Sequence, residues 1–343
     1  MKLNFQQIQS ITLGAAYLSS EEDGIHFHRF TPEEEEIYRK KGDGVPTKQI
    51  FATSGICLSF KTDSKRLGLK ISAETASSTR RYFSVDVFQN GKFLGSIQNF
   101  DEALLPRKYT HTELPFGDFS EEFDLKEGEE EITVVFPALQ KVVLQEISLS
   151  DGADLTPIKK EKKLLCYGDS ITQGYDALHA HRRYTARLAD ALGMEEFNKA
   201  IGGEKFFPEL SAAKPSFRPD LITVAYGTND WSGRPREVFE KTCIGFFENL
   251  VKSYPDTPIL AITPLWRKIW QREKPCGPFL GIDAFIRKVC GAYPNVTVLS
   301  GFDLIPHDAD YFADFTLHPN AVGYDRYAEG ILKFLEENPF LLP

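Results

Sequence analysis

The chain has 343 residues, of which 42% are hydrophobic, 26% charged and 13% aromatic, the composition of a soluble globular protein with room for about two domains. Its 40 Lys and Arg against 49 Asp and Glu give a formal charge of −9, which excludes the basic footprint of a nucleic-acid binder or of a protein held on an anionic membrane. No apolar run approaches the roughly 18 residues of a membrane span, no apolar leader follows Met1-Lys2-Leu3-Asn4, and five irregularly spaced cysteines fit reduced thiols, so a cytoplasmic protein is expected.

Residues 1–155 read as β structure. A helix start is predicted at Thr31-Pro32-Glu33, with Thr31 as N-cap and the glutamates that follow as a solvated helix face. Gly55–Thr62 and Arg66–Ile71 alternate apolar and polar residues across a turn at Asp63-Ser64. Tyr82–Gln89 and Lys92–Ile97 flank Asn90-Gly91, a dipeptide suited to the two positive φ angles of a type I′ hairpin turn. Glu131–Phe136 and Lys141–Leu149 follow. Several short strands with few helical signals predict an antiparallel, jelly-roll-like β-sandwich.

The polar, turn-rich segment 151–162 marks a boundary, and the second domain is predicted over 156–343. Beyond it the periodicity changes. Strands are expected at Leu164–Tyr167, Asp220–Tyr226, Pro258–Thr263 and Val296–Leu299, with helices over 184–192, 235–254, 279–293 and 320–337. Alternation of this kind predicts a parallel sheet covered on both faces, with the ligand beyond the carboxyl ends of its strands.

Residues able to do chemistry fall just after these strands, after the segment Phe197–Ile201 and near the end of the chain. They are Gly168-Asp169-Ser170-Ile171-Thr172, Gly202-Gly203, Gly227-Thr228-Asn229-Asp230 and, near the end, Asp314-Phe315-Thr316-Leu317-His318-Pro319-Asn320. A lone Gly-Asp-Ser is more often a helix-capping turn than a site. Four such loops at one sheet edge make a coherent set. Ser170 is a weak nucleophile until a base removes its proton, and His318 can be that base if an Asp fixes its tautomer. The N–H groups of Ser170 and Gly203 and the Asn229 amide can donate to the oxyanion of a tetrahedral intermediate. No Gly-x-Ser-x-Gly elbow, Gly-x-Gly-x-x-Gly loop or Walker-type phosphate loop is present.

These four segments, in this order over about residues 160–340, resemble the four blocks of the SGNH hydrolases, the GDSL lipase/esterase superfamily. The resemblance implies a flavodoxin-like three-layer fold and ester hydrolysis through an acyl-serine. It also implies Ser170 as nucleophile, Gly203 and Asn229 as oxyanion donors and His318 as base. A β-sandwich ahead of that domain is similar to the two-domain members, many of which act on acylated sugars. In the family an Asp usually stands three residues before the His. Here position 315 is Phe, and Asp314 lies four residues before His318. Either the loop holds one extra residue and Asp314 still reaches the imidazole, or a Ser–His dyad works with a backbone carbonyl; Asp308 and Asp310 are more distant. Counting from Asn198 favours Gly203 over Gly202.

Trp231 and Trp266 each follow a predicted strand and, with His179, are candidates to wall an acyl or sugar pocket. His26-x-His28 and His179-x-His181 lack a Cys or carboxylate at ligand spacing, so neither is read as a metal site. The expectation is a cofactor-free, metal-free serine esterase of short acyl groups, acetyl above all, taking a small ester or acylated sugar. The alternatives are an acyltransferase using the same serine and a non-catalytic carbohydrate-binding protein. Oligomeric state is not legible in the sequence.

Overall fold

Alternation along Arg66–Thr75 buries Leu67, Leu69, Ile71 and Ala73 on one face, the pattern of a strand half-covered by a core. In the computed structural model, which describes all residues except 42–46, 77, 78, 127, 129, 214–216 and 343, this strand lies in the first of two antiparallel sheets. That sheet runs Tyr17–Glu21, Gly24–His28, Gln140–Leu149, Arg66–Thr75, Gly117–Asp124. The second runs Thr12–Leu13, Cys57–Thr62, Glu130–Val135, Ser84–Gln89, Lys92–Gln98. Their inner faces share one core that includes Phe60, Leu69, Val87, Ile132 and Leu144, so the unit is a β-sandwich. Asn90 and Gly91 take φ values of 51° and 71°, as the hairpin required. Thr156 and Pro157 still pair with Lys61 and Phe60, two residues beyond the predicted boundary.

The second half forms a five-stranded parallel sheet. Numbered within it, the strands are β1 (Lys163–Gly168), β2 (Glu195–Asn198), β3 (Leu221–Ala225), β4 (Ile259–Ile262) and β5 (Val296–Leu299), in the order β2-β1-β3-β4-β5. Successive strand residues face opposite layers. Leu164, Cys166, Leu221 and Leu260 pack with helices Tyr184–Ala191 and Ala321–Glu337. Leu165, Tyr167, Ile222 and Ile259 pack with Arg236–Ser253 and Leu280–Cys290. This is the flavodoxin-like, doubly wound arrangement, with its switch point beside the carboxyl end of β1.

The glutamate run is a correction to the sequence reading. Thr31 does cap helix Pro32–Lys41: the Glu34 N–H donates to Thr31 Oγ1 (3.2 Å), and the Thr31 N–H donates to Glu34 Oε2 (2.7 Å). Glu34 and Glu35, however, are buried. The helix packs on the parallel-sheet half, where Phe30 and Tyr38 join the core of Leu165 and Phe207. Glu34 Oε2 lies 2.6 Å from Lys199 Nζ, and Glu35 Oε1 accepts from Tyr17 and pairs with His28. Removing one member of a buried pair strands the other charge at a cost of about 3–5 kcal/mol. Glu34→Ala is therefore expected to lower the urea midpoint by that much stability, whereas Glu36→Gln on the solvent face leaves it unchanged.

Candidate active site

β1 ends at Gly168, where a Cβ would stand 2.1 Å from Thr172 Oγ1, so the strand can turn directly into a helix only with glycine there. Asp169 caps helix Ser170–Gln173 by accepting from the Ile171 N–H (3.0 Å), and Gly174 ends it in a left-handed conformation. Burial pushes the Asp169 carboxyl up to about 7 against the pull of that N–H. Ser170 thus sits in the first turn, where a backbone N–H has no intrahelical acceptor.

His318 meets it from the far end of the chain. Ser170 Oγ lies 2.9 Å from His318 Nε2, and His318 Nδ1 lies 2.7 Å from Asp314 Oδ2. A carboxylate only accepts, so the Nδ1 proton belongs to the Asp314 bond and Nε2 is left to accept from the serine hydroxyl. The one-residue displacement of the Asp is absorbed locally. Phe315 takes a φ of 59°, and Asp314 Oδ1 receives the N–H groups of Thr316, Leu317 and His318. Burial opposes ionisation of Asp314, but the His318 bond and the loop N–H groups outweigh it and hold the carboxyl well below the usual range. Asp308 caps the short helix Ala309–Tyr311, and Asp310 pairs with Arg107.

The two glycines separate clearly. The Gly202 N–H donates to Gln49 Oε1 (3.0 Å) and Gln173 Oε1 (2.7 Å). Among the described residues the Gly203 N–H has no acceptor, and open space lies where a Cβ would point. Glycine is required there for its φ of 81°. One N–H of the Asn229 amide donates to the Glu204 carbonyl (3.0 Å), which leaves the other available and joins this loop to Gly203. Lys41, from the first half, pairs with the Glu204 carboxylate and supports the same loop. Asp230 is structural: it accepts from the Phe206 N–H and Arg234.

The three expected pocket residues are packed in the interior. Trp231 is fully buried, donates from Nε1 to the Gly277 carbonyl (2.9 Å) and meets Phe279 edge-on, so it is a core residue rather than a pocket wall. Trp266 stacks on His307 and meets Phe312 at a tilt of 49°. His179 is buried between Asp86 (2.8 Å) and Glu102 (2.6 Å). Asp86 also pairs with His181 (2.7 Å), a carboxylate partner brought from a distant strand that local spacing could not reveal. Among the described residues, Asp86 with His179 and His181, Glu21 with Asp23 and His26, and Asp176 with Asp314 and His318 lie close enough to share a divalent ion. Hydrogen bonds account for the placement of each group.

Sequence reasoning missed Arg80 and Asp176. Arg80 comes from the segment between two sandwich strands and forms a buried bidentate pair with Asp176, Nε to Oδ1 at 2.9 Å and Nη2 to Oδ2 at 2.6 Å. Its Nη2 is 3.3 Å from His318 Nδ1, and Asp176 Oδ2 is 3.9 Å from the same atom. An arginine 238 positions before the histidine carries no local signal.

Residues 166–326 match the family model of the GDSL-like lipase/acylhydrolases. No curated protein matches the chain in sequence. Among solved structures, a salicylyl-acyltransferase from a tetracycline biosynthetic pathway is 20% identical with a TM-score of 0.77, over 97% of this chain and 96% of that one. A family two carbohydrate esterase from Clostridium thermocellum, in complex with cellohexaose, is 14% identical with a TM-score of 0.67, over 96% and 100%. An acetyl xylan esterase from the rumen bacterium Butyrivibrio proteoclasticus is 14% identical with a TM-score of 0.65, over 99% and 100%. These likenesses show a shared fold that includes the preceding sandwich. The chain thus carries a GDSL-like lipase/acylhydrolase domain over residues 166–326, preceded by a β-sandwich.

Proposed function

We propose that the protein is a serine esterase that hydrolyses short-chain esters, acetyl above all, with acylated carbohydrates as its substrate class. The observation that carries this reading is the unbroken relay of Ser170 Oγ, His318 Nε2, His318 Nδ1 and Asp314 Oδ2, at 2.9 and 2.7 Å. Ser170 attacks the ester carbonyl while His318 takes its proton, and Asp314 holds the tautomer and stabilises the imidazolium. The N–H groups of Ser170 and Gly203 and the Asn229 amide receive the oxyanion. His318 then protonates the leaving alcohol, and water attacks the acyl-serine with His318 again as base. The acid leaves and Ser170 is restored. Support for a sugar on the alcohol side comes from the fold likeness to the carbohydrate esterase and the acetyl xylan esterase, which extends over both halves of the chain.

The test is the intact mass after treatment with a fluorophosphonate. One adduct is expected on the wild type, none on Ser170→Ala and a slow one on His318→Ala. An unlabelled wild type that also leaves acetyl esters intact would overturn the reading in favour of a carbohydrate-binding protein. The likeness to the salicylyl-acyltransferase supports a second outcome of the same chemistry, transfer to an alcohol other than water. Product analysis with added alcohols separates the two: free acid alone supports the esterase, and a new ester the transferase. Asn229→Ala is expected to lower kcat by about 10²–10³-fold with little change in KM, the effect of losing one oxyanion donor.

A further inference from the structure

We infer that Arg80, delivered by the β-sandwich half, is a positioning residue for the His318 imidazole, acting with Asp176 as a charge-balanced clamp on its Nδ1 edge. This rests on the reading of His318 as the base.

Three observations carry it. First, the pair is built and buried: Arg80 is held by both oxygens of Asp176, and its side chain is 7% exposed. Because the Nδ1 proton goes to Asp314, the 3.3 Å approach of Arg80 is a contact between a cation and an N–H, not a hydrogen bond. A positive charge on the ring would face the Arg80 cation at 3.3 Å and the Asp176 carboxylate at 3.9 Å, two groups that act on it in opposite senses. Second, the ring is stacked. Tyr175 lies against His318 with centroids 5.5 Å apart, and the Arg80 guanidinium covers Tyr175 at 5.1 Å. Third, the loop carrying Asp176 is strained and gripped from the sandwich. Asp176 and Leu178 have φ values of 68° and 60°, conformations that persist only where surroundings enforce them. Tyr82 bonds both the Asp176 carboxylate and its N–H, and Tyr109 donates to its carbonyl (2.7 Å).

The charged and titratable groups facing His318 are Asp314 on its own loop, Asp176 and Tyr175 after the nucleophile helix, Ser170, and Arg80 from the sandwich. Asp169 acts on the ring at longer range, and Arg267 acts on Asp314 and Asp169. Cutting the pair on either side therefore has opposite consequences. Arg80→Met leaves Asp176 facing the ring, so imidazolium is favoured. The acidic limb of the kcat/KM–pH profile then moves to higher pH, by roughly one unit. Asp176→Asn leaves Arg80 facing the ring, and the limb moves to lower pH by a similar amount. The double variant returns the limb near the wild-type position with kcat lowered roughly 10- to 100-fold, because the ring is loosely held.

The experiment measures these profiles with an aryl acetate on full-length protein and labels each variant with fluorophosphonate. Opposite shifts support the clamp. Coincident limbs, or two shifts in one direction, overturn it even where wild-type Ser170 labels normally. An unlabelled, inactive wild type removes the esterase reading instead. Should Arg80→Met not fold, Arg80→Lys serves: a retained charge without the planar fork should lower kcat and leave the limb in place. Unchanged kcat in that variant also overturns the inference.

Discussion

Ser170→Ala and His318→Ala are each expected to lower kcat on a short acyl ester by roughly 10⁶-fold, and the double substitution to lower it little further. The two side chains act as one unit through the 2.9 Å contact of Oγ with Nε2, so either loss removes the activated oxygen completely. At 1.36 kcal/mol per decade, six decades amount to about 8 kcal/mol of transition-state stabilisation. What remains is binding and the proposed oxyanion donors, the backbone N–H groups of residues 170 and 203 and the Asn229 amide, which neither change removes. Steady-state kinetics of the three variants check this. Losses that multiply in the double variant, or a Ser170→Ala enzyme within tenfold of wild type, would show that turnover takes another route.

Asp314→Asn is expected to lower kcat by roughly 10⁴-fold while leaving substrate affinity nearly intact. An amide at this position can donate to Nδ1, which selects the tautomer whose proton sits on Nε2 and faces Ser170. The same substitution has a pH signature in stability. The Asp314 carboxyl is held below its usual range, so its ionised form stabilises the fold. That contribution is fully present above the unfolded value of about 3.9 and fades as pH falls through the lower folded value. Urea midpoints of wild type and Asp314→Asn should therefore differ most near neutral pH and converge in strong acid. A gap that stays constant from neutral to strongly acidic pH would contradict this account.

In the parallel half the central strands Lys163–Gly168, Leu221–Ala225 and Ile259–Ile262 were legible because they are buried and read as continuous apolar runs, whereas Glu195–Asn198, with two glutamates in four residues, escaped. In the sandwich, strong alternation and Asn90-Gly91 were enough for the central strands. Gly117–Asp124 escaped because an edge strand with polar residues on most positions has no period to detect. Ser170, His318 and Asn229 announce themselves through neighbouring residues. Asp314 was ambiguous because the φ of Phe315, which decides whether the loop closes, is not encoded in spacing. Arg80 and Asp176 were invisible, as was the burial of Glu34, since each depends on a partner 96 to 165 positions away. Trp231 misled in the other direction. An indole after a functional loop can turn inward whenever a carbonyl such as that of Gly277 meets its N–H.

Helix Pro32–Lys41 has a consequence for how the chain acquires its shape. Glu34 must wait for Lys199, and Tyr38 for Phe207, so the amino-terminal segment cannot finish folding until the second parallel strand has been made. A nascent chain stopped at residue 155 carries Phe30, Tyr38 and the Glu34 carboxylate without the second-half core and the Lys199 ammonium that bury them. The two halves are thus committed to a single cooperative assembly with contacts of very long sequence separation, which makes folding slow. One heat-absorption peak is the corresponding equilibrium signature.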